Sequence, residues 1–389
     1  MRSRTSRLSL AVAALALVGA ACSGDDDSSG ETTPGTTGEQ PEDTGAPDGT
    51  TADTTTDSTA GTTPGEEVQT GESLLDTVIA NDVVRCGVRD DLPGFSTLDD
   101  AGEHVGFDAD FCRVIAAAVL GDATKAEFVD IETEARFTAL QSGEIDVLVR
   151  NTTWTASRDG VEGATFLHPT FYDGQGMMVA SDSGFTSLDD MDGTVICVAA
   201  GTTTEGNVAT EFARRGLTVE VQSFEGVELI QEAFIAGRCD GWSSDTSQLT
   251  GLRSNYPDGP EALTILDEVF SKEPLAPAVV DGDSRWAQAV QWAIYATIQA
   301  EELGIDSTNA ADMVSDDDLN IQRFLAGVNE DGTTLDTGLG LPPDFNLQVV
   351  TQVGNYGEIF EANLAPLGLE RGVNALWTDG GLHYAPPYR

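Results

Sequence analysis

Ala139-Leu-Gln-Ser-Gly-Glu-Ile-Asp-Val-Leu-Val149 and Ala233-Phe-Ile-Ala-Gly-Arg-Cys-Asp-Gly-Trp-Ser243 read as one motif written twice, 94 residues apart. In each copy the last turn of a helix meets a glycine at its C-terminus, and a short strand follows. A helix delivered straight into a strand belongs to a parallel sheet crossed by helices, and open α/β sheets bind ligands at the carboxyl ends of their strands. Continuing both registers past the strands sets Asn151 opposite Asp245. These are equivalent positions in two similar halves, so the residues around them are the first candidates for a site.

The flanking sequence repeats the alternation. Residues 83–88 read as a strand, Asp108 as the cap of a helix running to Leu120, 126–129 as a strand, and Thr133 as the start of the helix that ends at Gly143. A second series starts at Thr194 with a strand to Ala199, a Gly-Thr turn at 201–204, a helix to Arg215, a strand at 218–221 and a helix to Ala236. Amphipathic segments at 286–303 and 359–367 follow. Helix and strand in alternation predict a doubly wound α/β architecture in both halves.

Residues 1–22 set the address. Arg2, Arg4 and Arg7 precede an apolar run, and small residues lead to Cys22, the pattern of an export signal whose cysteine becomes the lipidated first residue. From 23 to 70 the chain is Gly, Ser, Thr, Pro, Asp and Glu, which cannot offset its ordering entropy, so it reads as a disordered acidic tether spanning roughly 35–40 Å. The sequence holds 66 acidic and 19 basic residues; twelve of the acids lie in the tether and three of the bases in the signal, so the body is itself strongly acidic. Phosphate backbones need a basic footprint, so nucleic acid is excluded as a partner. Besides Cys22 there are Cys86, Cys112, Cys197 and Cys239, and an exported body allows three pairings among them. Cys86 with Cys112 and Cys197 with Cys239 is preferred because each pair stays within one half, free buried thiols being the alternative.

The stretch Arg150-Asn-Thr-Thr-Trp-Thr-Ala-Ser-Arg-Asp159 follows the first repeat directly. Arg158 offers a rigid fork that meets a carboxylate bidentately, and Thr153 and Thr155 add hydroxyl donors. In the other half Asp245 is an acceptor-only group suited to an ammonium, and the turn at 200–205 opens a helix whose free N–H groups favour an anion. Carboxylate and ammonium partners together describe an α-amino acid. Taken singly, Arg158 reads equally as a partner of Asp159, Asp245 as a helix cap, and Thr202 and Thr203 as further caps.

The body resembles the type II periplasmic solute-binding proteins of ABC importers, solute-binding family 3, and among them the general L-amino-acid-binding group. The resemblance is carried by Cys86-Gly-Val, Gly106-Phe-Asp-Ala-Asp-Phe-Cys-Arg113, Arg136-Phe-Thr-Ala-Leu-Gln-Ser-Gly-Glu-Ile-Asp146, Asn151-Thr-Thr-Trp-Thr155 with Arg158-Asp159, Ala200-Gly-Thr-Thr-Thr-Glu205 and the terminal Gly381-Leu-His-Tyr-Ala-Pro-Pro-Tyr-Arg389. It implies a two-lobed fold, each lobe a mostly parallel sheet with flanking helices, with 71–175 and 271–389 in the first lobe and 176–270 in the second. Two crossing strands near 172–177 and 269–276 would form the hinge. It also implies that the ligand site comprises Arg158 and Thr153 with Asn151, backbone and hydroxyl contacts from Thr202 and Thr203, Asp245 for the ammonium, and Phe95 as the aromatic over the ligand. Selectivity would come partly from 131–136, where this chain has Glu132, Glu134 and Arg136. The implied partners are an L-amino acid and the permease and ATPase of an importer, with no cofactor, no metal, and membrane contact through the lipid anchor alone. The protein would then be a monomer held outside the cytoplasmic membrane of a cell with no outer membrane. Two other readings share the fold: a cyclohexadienyl or arogenate dehydratase using one of Glu132, Glu134, Glu205 or Asp245 as general acid, and a sensor lipoprotein without transport. Against catalysis, the three histidines, His104, His168 and His383, show no metal spacing and there is no nucleophile elbow.

Overall fold

Two five-stranded sheets with the same internal order organise the chain. The computed structural model describes residues 73–389; the signal 1–22 with Cys22, and the tether 23–70, lie outside the described residues. In the first sheet the strands run Ala126–Asp130, Val84–Val88, Val147–Leu148, Ala278–Val280, Ala164–Phe166, and in the second Val219–Phe224, Thr194–Ala199, Gly241–Asp245, Gln175–Ala180, Leu263–Ile265. In both, the first three strands are parallel and the last two pairings antiparallel. The repeat read from the sequence therefore places Val147–Leu148 and Gly241–Asp245 at the same, third position of the two sheets.

The helices end where glycine lets them. Helix Arg136–Ser142 stops at Gly143 (φ 72°) and helix Thr203–Arg215 at Gly216 (φ 75°), both left-handed, a conformation costly for other residues. The starts are less legible. Asp108 does not cap its helix, Phe107–Leu120, which follows Gly106. Its carboxylate accepts instead from the Asn151 backbone N–H at 2.8 Å, inside the core. Helix Arg136–Ser142 likewise starts three residues after Thr133.

The chain crosses between the sheets twice, through an antiparallel ribbon of Phe171–Asp173 and Glu273–Leu275 in which Asp173 stands directly opposite Glu273. The C-terminal segment braces this ribbon: Asn374 Oδ1 accepts from the Tyr172 N–H at 2.7 Å, and its Nδ2 donates to the Tyr172 carbonyl at 3.0 Å. The first lobe closes over a buried aromatic cluster in which Phe95, Phe107 and Phe171 meet edge to face at 5.5–6.0 Å between ring centres. Helix Ser284–Glu302 buries Trp286, Ala289, Val290, Ala293, Ile294 and Thr297, the three-and-four spacing of one helical face, and Trp286 Nε1 donates to the Asp146 carbonyl at 2.8 Å. Disulfides link Cys86 to Cys112 and Cys197 to Cys239. They close loops of 26 and 42 residues, for which restriction of the unfolded chain is worth on the order of 3–4 kcal/mol each. No helix of the described residues is long and apolar enough to cross a membrane.

Candidate functional site

The strand ends of the two sheets face one another across a narrow cleft lined by polar and charged side chains from both lobes. Asn151, Thr153 and Arg158 line it from the first lobe; Thr202, Thr203 and Asp245 line it from the second. Asn151 holds a left-handed backbone (φ 32°), a conformation asparagine tolerates better than most side chains. That turn lets its N–H reach Asp108 while its side chain spans the cleft, accepting from Arg89 and donating to Gln248 Oε1 of the second lobe, both at 3.3 Å.

Arg158 does not pair with Asp159. Its Nη1 donates to the Thr153 carbonyl at 2.8 Å and its Nη2 reaches the Gly201 carbonyl of the other lobe at 3.4 Å. The guanidinium lies 5.8 Å from the centre of the Phe137 ring. Burial lowers its pKa, and Glu273 and Asp245 act in the opposite sense. Thr155 takes a different part from the one expected: it caps helix Ala156–Val161, its hydroxyl accepting from the Arg158 N–H at 3.2 Å.

Asp245 caps nothing either. The helix that follows it, Thr246–Ser254, is capped by Asp173 of the ribbon, which accepts from the Thr246 hydroxyl at 2.6 Å and from the Ser247 N–H at 3.2 Å. Asp245 is 7% exposed and its carboxylate accepts no hydrogen bond among the described residues. Burial pushes its pKa well above the ordinary range, the neighbouring acids Asp173 and Glu273 push it further, and Arg158 and Arg89 pull it down. A buried carboxylate beside two other acids is a poor arrangement for stability alone, and a good one for a cation entering the cleft.

Two expectations need correction. The hydroxyls of Thr202 and Thr203 are already committed, Thr202 donating to the Ala199 carbonyl at 2.6 Å and Thr203 to Glu273 at 3.0 Å. What this turn can offer an anion is the first backbone N–H groups of helix Thr203–Arg215, which have no carbonyl partner within the helix. Phe95 does not cover the cleft: its ring is fully buried in the cluster with Phe107 and Phe171, and it is absent from the lining.

The cleft also holds cations that the sequence reading did not place there. Arg89 and Arg150 sit just past strands Val84–Val88 and Val147–Leu148 of the first sheet, where the strand-end rule would have found them. Arg89 is ion-paired with Asp91; Arg150 donates to the Ile131 carbonyl at 2.6 Å and Thr133 Oγ1 at 3.0 Å, and burial draws its pKa down to about 9. Of the 131–136 segment, Glu132 and Arg136 line the cleft, whereas Glu134 is exposed beside Gly201.

Residues 84–306 match the family model of the bacterial extracellular solute-binding proteins, family 3. The chain belongs to that family. As a family 3 protein it is 46% identical, over 82% of its length and 93% of the relative's, to the general L-amino acid-binding periplasmic protein AapJ of Rhizobium johnstonii. It is 43% identical to the glutamate/glutamine/aspartate/asparagine-binding protein BztA of Rhodobacter capsulatus, over 82% and 94% of the two chains. A solved ABC transporter/periplasmic binding protein from Brucella ovis, with glutathione bound, superposes with a TM-score of 0.79 at 43% identity, covering 82% of this chain and 100% of that one. The two-lobed type II periplasmic-binding fold is thus shared with relatives named as binding proteins.

Proposed function

We propose that this family 3 protein captures L-α-amino acids between its lobes and hands them to an ABC importer. The observation that carries the reading is that Arg158 of one lobe and the unpartnered Asp245 of the other line the same cleft. A zwitterion balances both, whereas a ligand of one sign leaves one buried charge uncompensated. Relatives named for amino-acid binding and for ABC transport support the same reading. The test is calorimetric titration of the full-length protein, unfolded and refolded to strip carried-over ligand, with the twenty L-amino acids. Micromolar or tighter binding of several is expected; silence from all of them would move sensing and dehydratase chemistry forward.

Capture in this reading is a hinged closure about the ribbon at 171–173 and 273–275, between a first lobe of 71–175 with 271–389 and a second of 176–270. The cross-cleft bonds of Arg136, Arg158 and Asn151 belong to the closed form. Gly251 offers a wedge against it: a Cβ there would stand 2.6 Å from the backbone carbonyl of Pro93 in the facing lobe. Gly251→Ala should weaken amino-acid binding by about tenfold or more, roughly 1.4 kcal/mol, without lowering the melting temperature of the free protein, since alanine favours the helix. Binding within threefold of the parent would argue against closure at this contact.

The residues proposed to bind the amino-acid head group are Arg158, Thr153 and Asn151 from one side, and Asp245 with the N–H groups at Thr202 and Thr203 from the other. We further infer that Cys22 carries a lipid anchor on the outer face of the cytoplasmic membrane, from the basic and apolar segment before it. Cys22→Ser should shift the protein from the membrane fraction to the medium; unchanged partitioning would contradict the anchor.

A further inference from the structure

Two acids face each other on the ribbon, and each holds the start of a helix in the second lobe. Asp173 stands directly opposite Glu273 in register. Asp173 caps helix Thr246–Ser254, which follows Asp245, through the Thr246 hydroxyl and the Ser247 N–H. Glu273 is 2% exposed and takes donors on both oxygens: Oε2 accepts from the Thr203 hydroxyl at 3.0 Å, and Oε1 from Asn207 Nδ2 at 2.8 Å and the Ser271 hydroxyl at 2.5 Å. Thr203 and Asn207 lie on helix Thr203–Arg215, four residues apart and so on one face of its first turns.

That helix start lacks the usual cap. Thr202 stands at the N-cap position, but its hydroxyl turns back to the Ala199 carbonyl and bonds no helix N–H. Glu273 supplies the negative charge that the positive end of the helix dipole favours, and it does so from the side, leaving the first N–H groups free. It does not line the cleft, so it meets the helix rather than the ligand. The ribbon is gripped differently one residue further on. Asn374 of the first lobe holds Tyr172, and the Pro274 carbonyl accepts from the Trp154 N–H at 2.9 Å. Asp173 and Glu273 are therefore where the ribbon passes from the hold of one lobe to that of the other.

We propose that Glu273 is a positioning residue for ligand binding: it fastens the first turns of helix Thr203–Arg215 to the ribbon, so that the free N–H groups at Thr202 and Thr203 are aimed at the ligand carboxylate when the lobes close. This deepens, and rests on, the reading of those N–H groups as part of the head-group site. A shift of the turn by about 1 Å is enough to lose a hydrogen bond of ordinary length. Glu273 also acts through space. Burial is the main cause of the raised Asp245 pKa, and Glu273 adds to it. The two actions have opposite signatures: a bare negative charge opposes the ligand carboxylate and favours its ammonium, so losing that charge strengthens the acid end, whereas losing the positioning weakens it.

The test is titration of ligand-stripped full-length protein with the tightest-binding of the twenty L-amino acids, its α-methyl ester and its N-acetyl derivative, in the parent, Glu273→Ala, Glu273→Gln and Asn207→Ala. The amide of Glu273→Gln can keep all three bonds, its oxygen accepting from Asn207 and Ser271 and its nitrogen donating to the Thr203 hydroxyl, so this variant should bind each ligand within threefold of the parent. Glu273→Ala should weaken the amino acid and the N-acetyl form at least tenfold and the ester, which lacks the carboxylate, less than threefold. Asn207→Ala removes one strut while improving helix propensity; it should weaken the amino acid at least threefold, add nothing on top of Glu273→Ala, and carry the test if Glu273→Ala does not fold. Glu273→Gln behaving as Glu273→Ala does, the ester falling together with the amino acid, or Asn207→Ala binding as the parent does would overturn the role of Glu273 and leave the head-group site standing. A parent protein that binds the ester as tightly as the amino acid would remove the head-group reading itself.

Discussion

Arg158→Ala should leave a folded protein that binds L-amino acids at least a thousandfold more weakly than the parent, about 4 kcal/mol. The magnitude follows from what the side chain faces. A carboxylate brought into the cleft gives up its hydration, and without the guanidinium the proposed head-group site offers it only neutral donors. Removing one partner of a buried charge pair costs about 2–5 kcal/mol, much of it the penalty of the charge left behind. Arg158 is half-buried, and of its guanidinium contacts the one within its own lobe goes to the Thr153 carbonyl, so its removal should cost little stability. Arg158→Lys should recover part of the affinity, because the charge returns but the fork does not. A melting curve and one titration per variant check this, and affinity within threefold of the parent for Arg158→Ala would dismiss the carboxylate assignment.

Asp245→Asn should separate affinity from stability. Burial and the facing acids Asp173 and Glu273 raise the Asp245 pKa, with Arg158 and Arg89 opposing. A carboxyl whose folded pKa is raised stabilises the fold while protonated, at low pH, and that stability is lost as pH rises towards the folded value. The neutral amide escapes this loss, so the variant should melt at the same temperature as the parent or higher near neutral pH. Its affinity for amino acids should fall about a thousandfold, since the acceptor for the ammonium has lost its charge. Only the ionised form of Asp245 holds an ammonium well. Below its pKa in the free protein, parent affinity should therefore fall as pH is lowered, approaching tenfold per unit, with a proton released on binding; above that pKa the affinity should level off. Titrations over pH, in two buffers of different ionisation enthalpy, read both effects, and Asp245→Asn should abolish both. A variant that binds normally, or loses stability as well as affinity, would contradict the assignment.

Much of the fold was readable because it rests on local rules. Gly143 and Gly216 end helices at left-handed positions, and the 94-residue repeat places the two third strands in register with their sheets. The strand-end rule then brings Arg158 and Asp245 to one cleft, and it would equally have found Arg89 and Arg150. What escaped the sequence depends on partners distant along the chain. The Thr203 hydroxyl is taken by Glu273, 70 residues on, and Thr246–Ser254 is capped by Asp173 from a ribbon that forms only when both crossings meet. The family resemblance sets Phe95 over the ligand, with packing on the following helix as the alternative; Phe107 of that helix and Phe171 draw it into the core. Asp108 looked like a cap; instead, deep burial raises its pKa to about 7, while its bond to the Asn151 N–H opposes that rise.

The head-group site is tested most directly with the tightest-binding amino acid of the panel, titrated beside its α-methyl ester and its N-acetyl derivative. The ester keeps the ammonium and loses the carboxylate; the acetylated form does the reverse. If Arg158 and Asp245 each hold one end of the ligand, the free amino acid should bind at least a hundredfold tighter than either derivative, and Arg158→Ala should erase its advantage over the ester, as Asp245→Asn should over the N-acetyl form. Equal binding of the ester or the N-acetyl form by the parent protein would contradict the two-ended site.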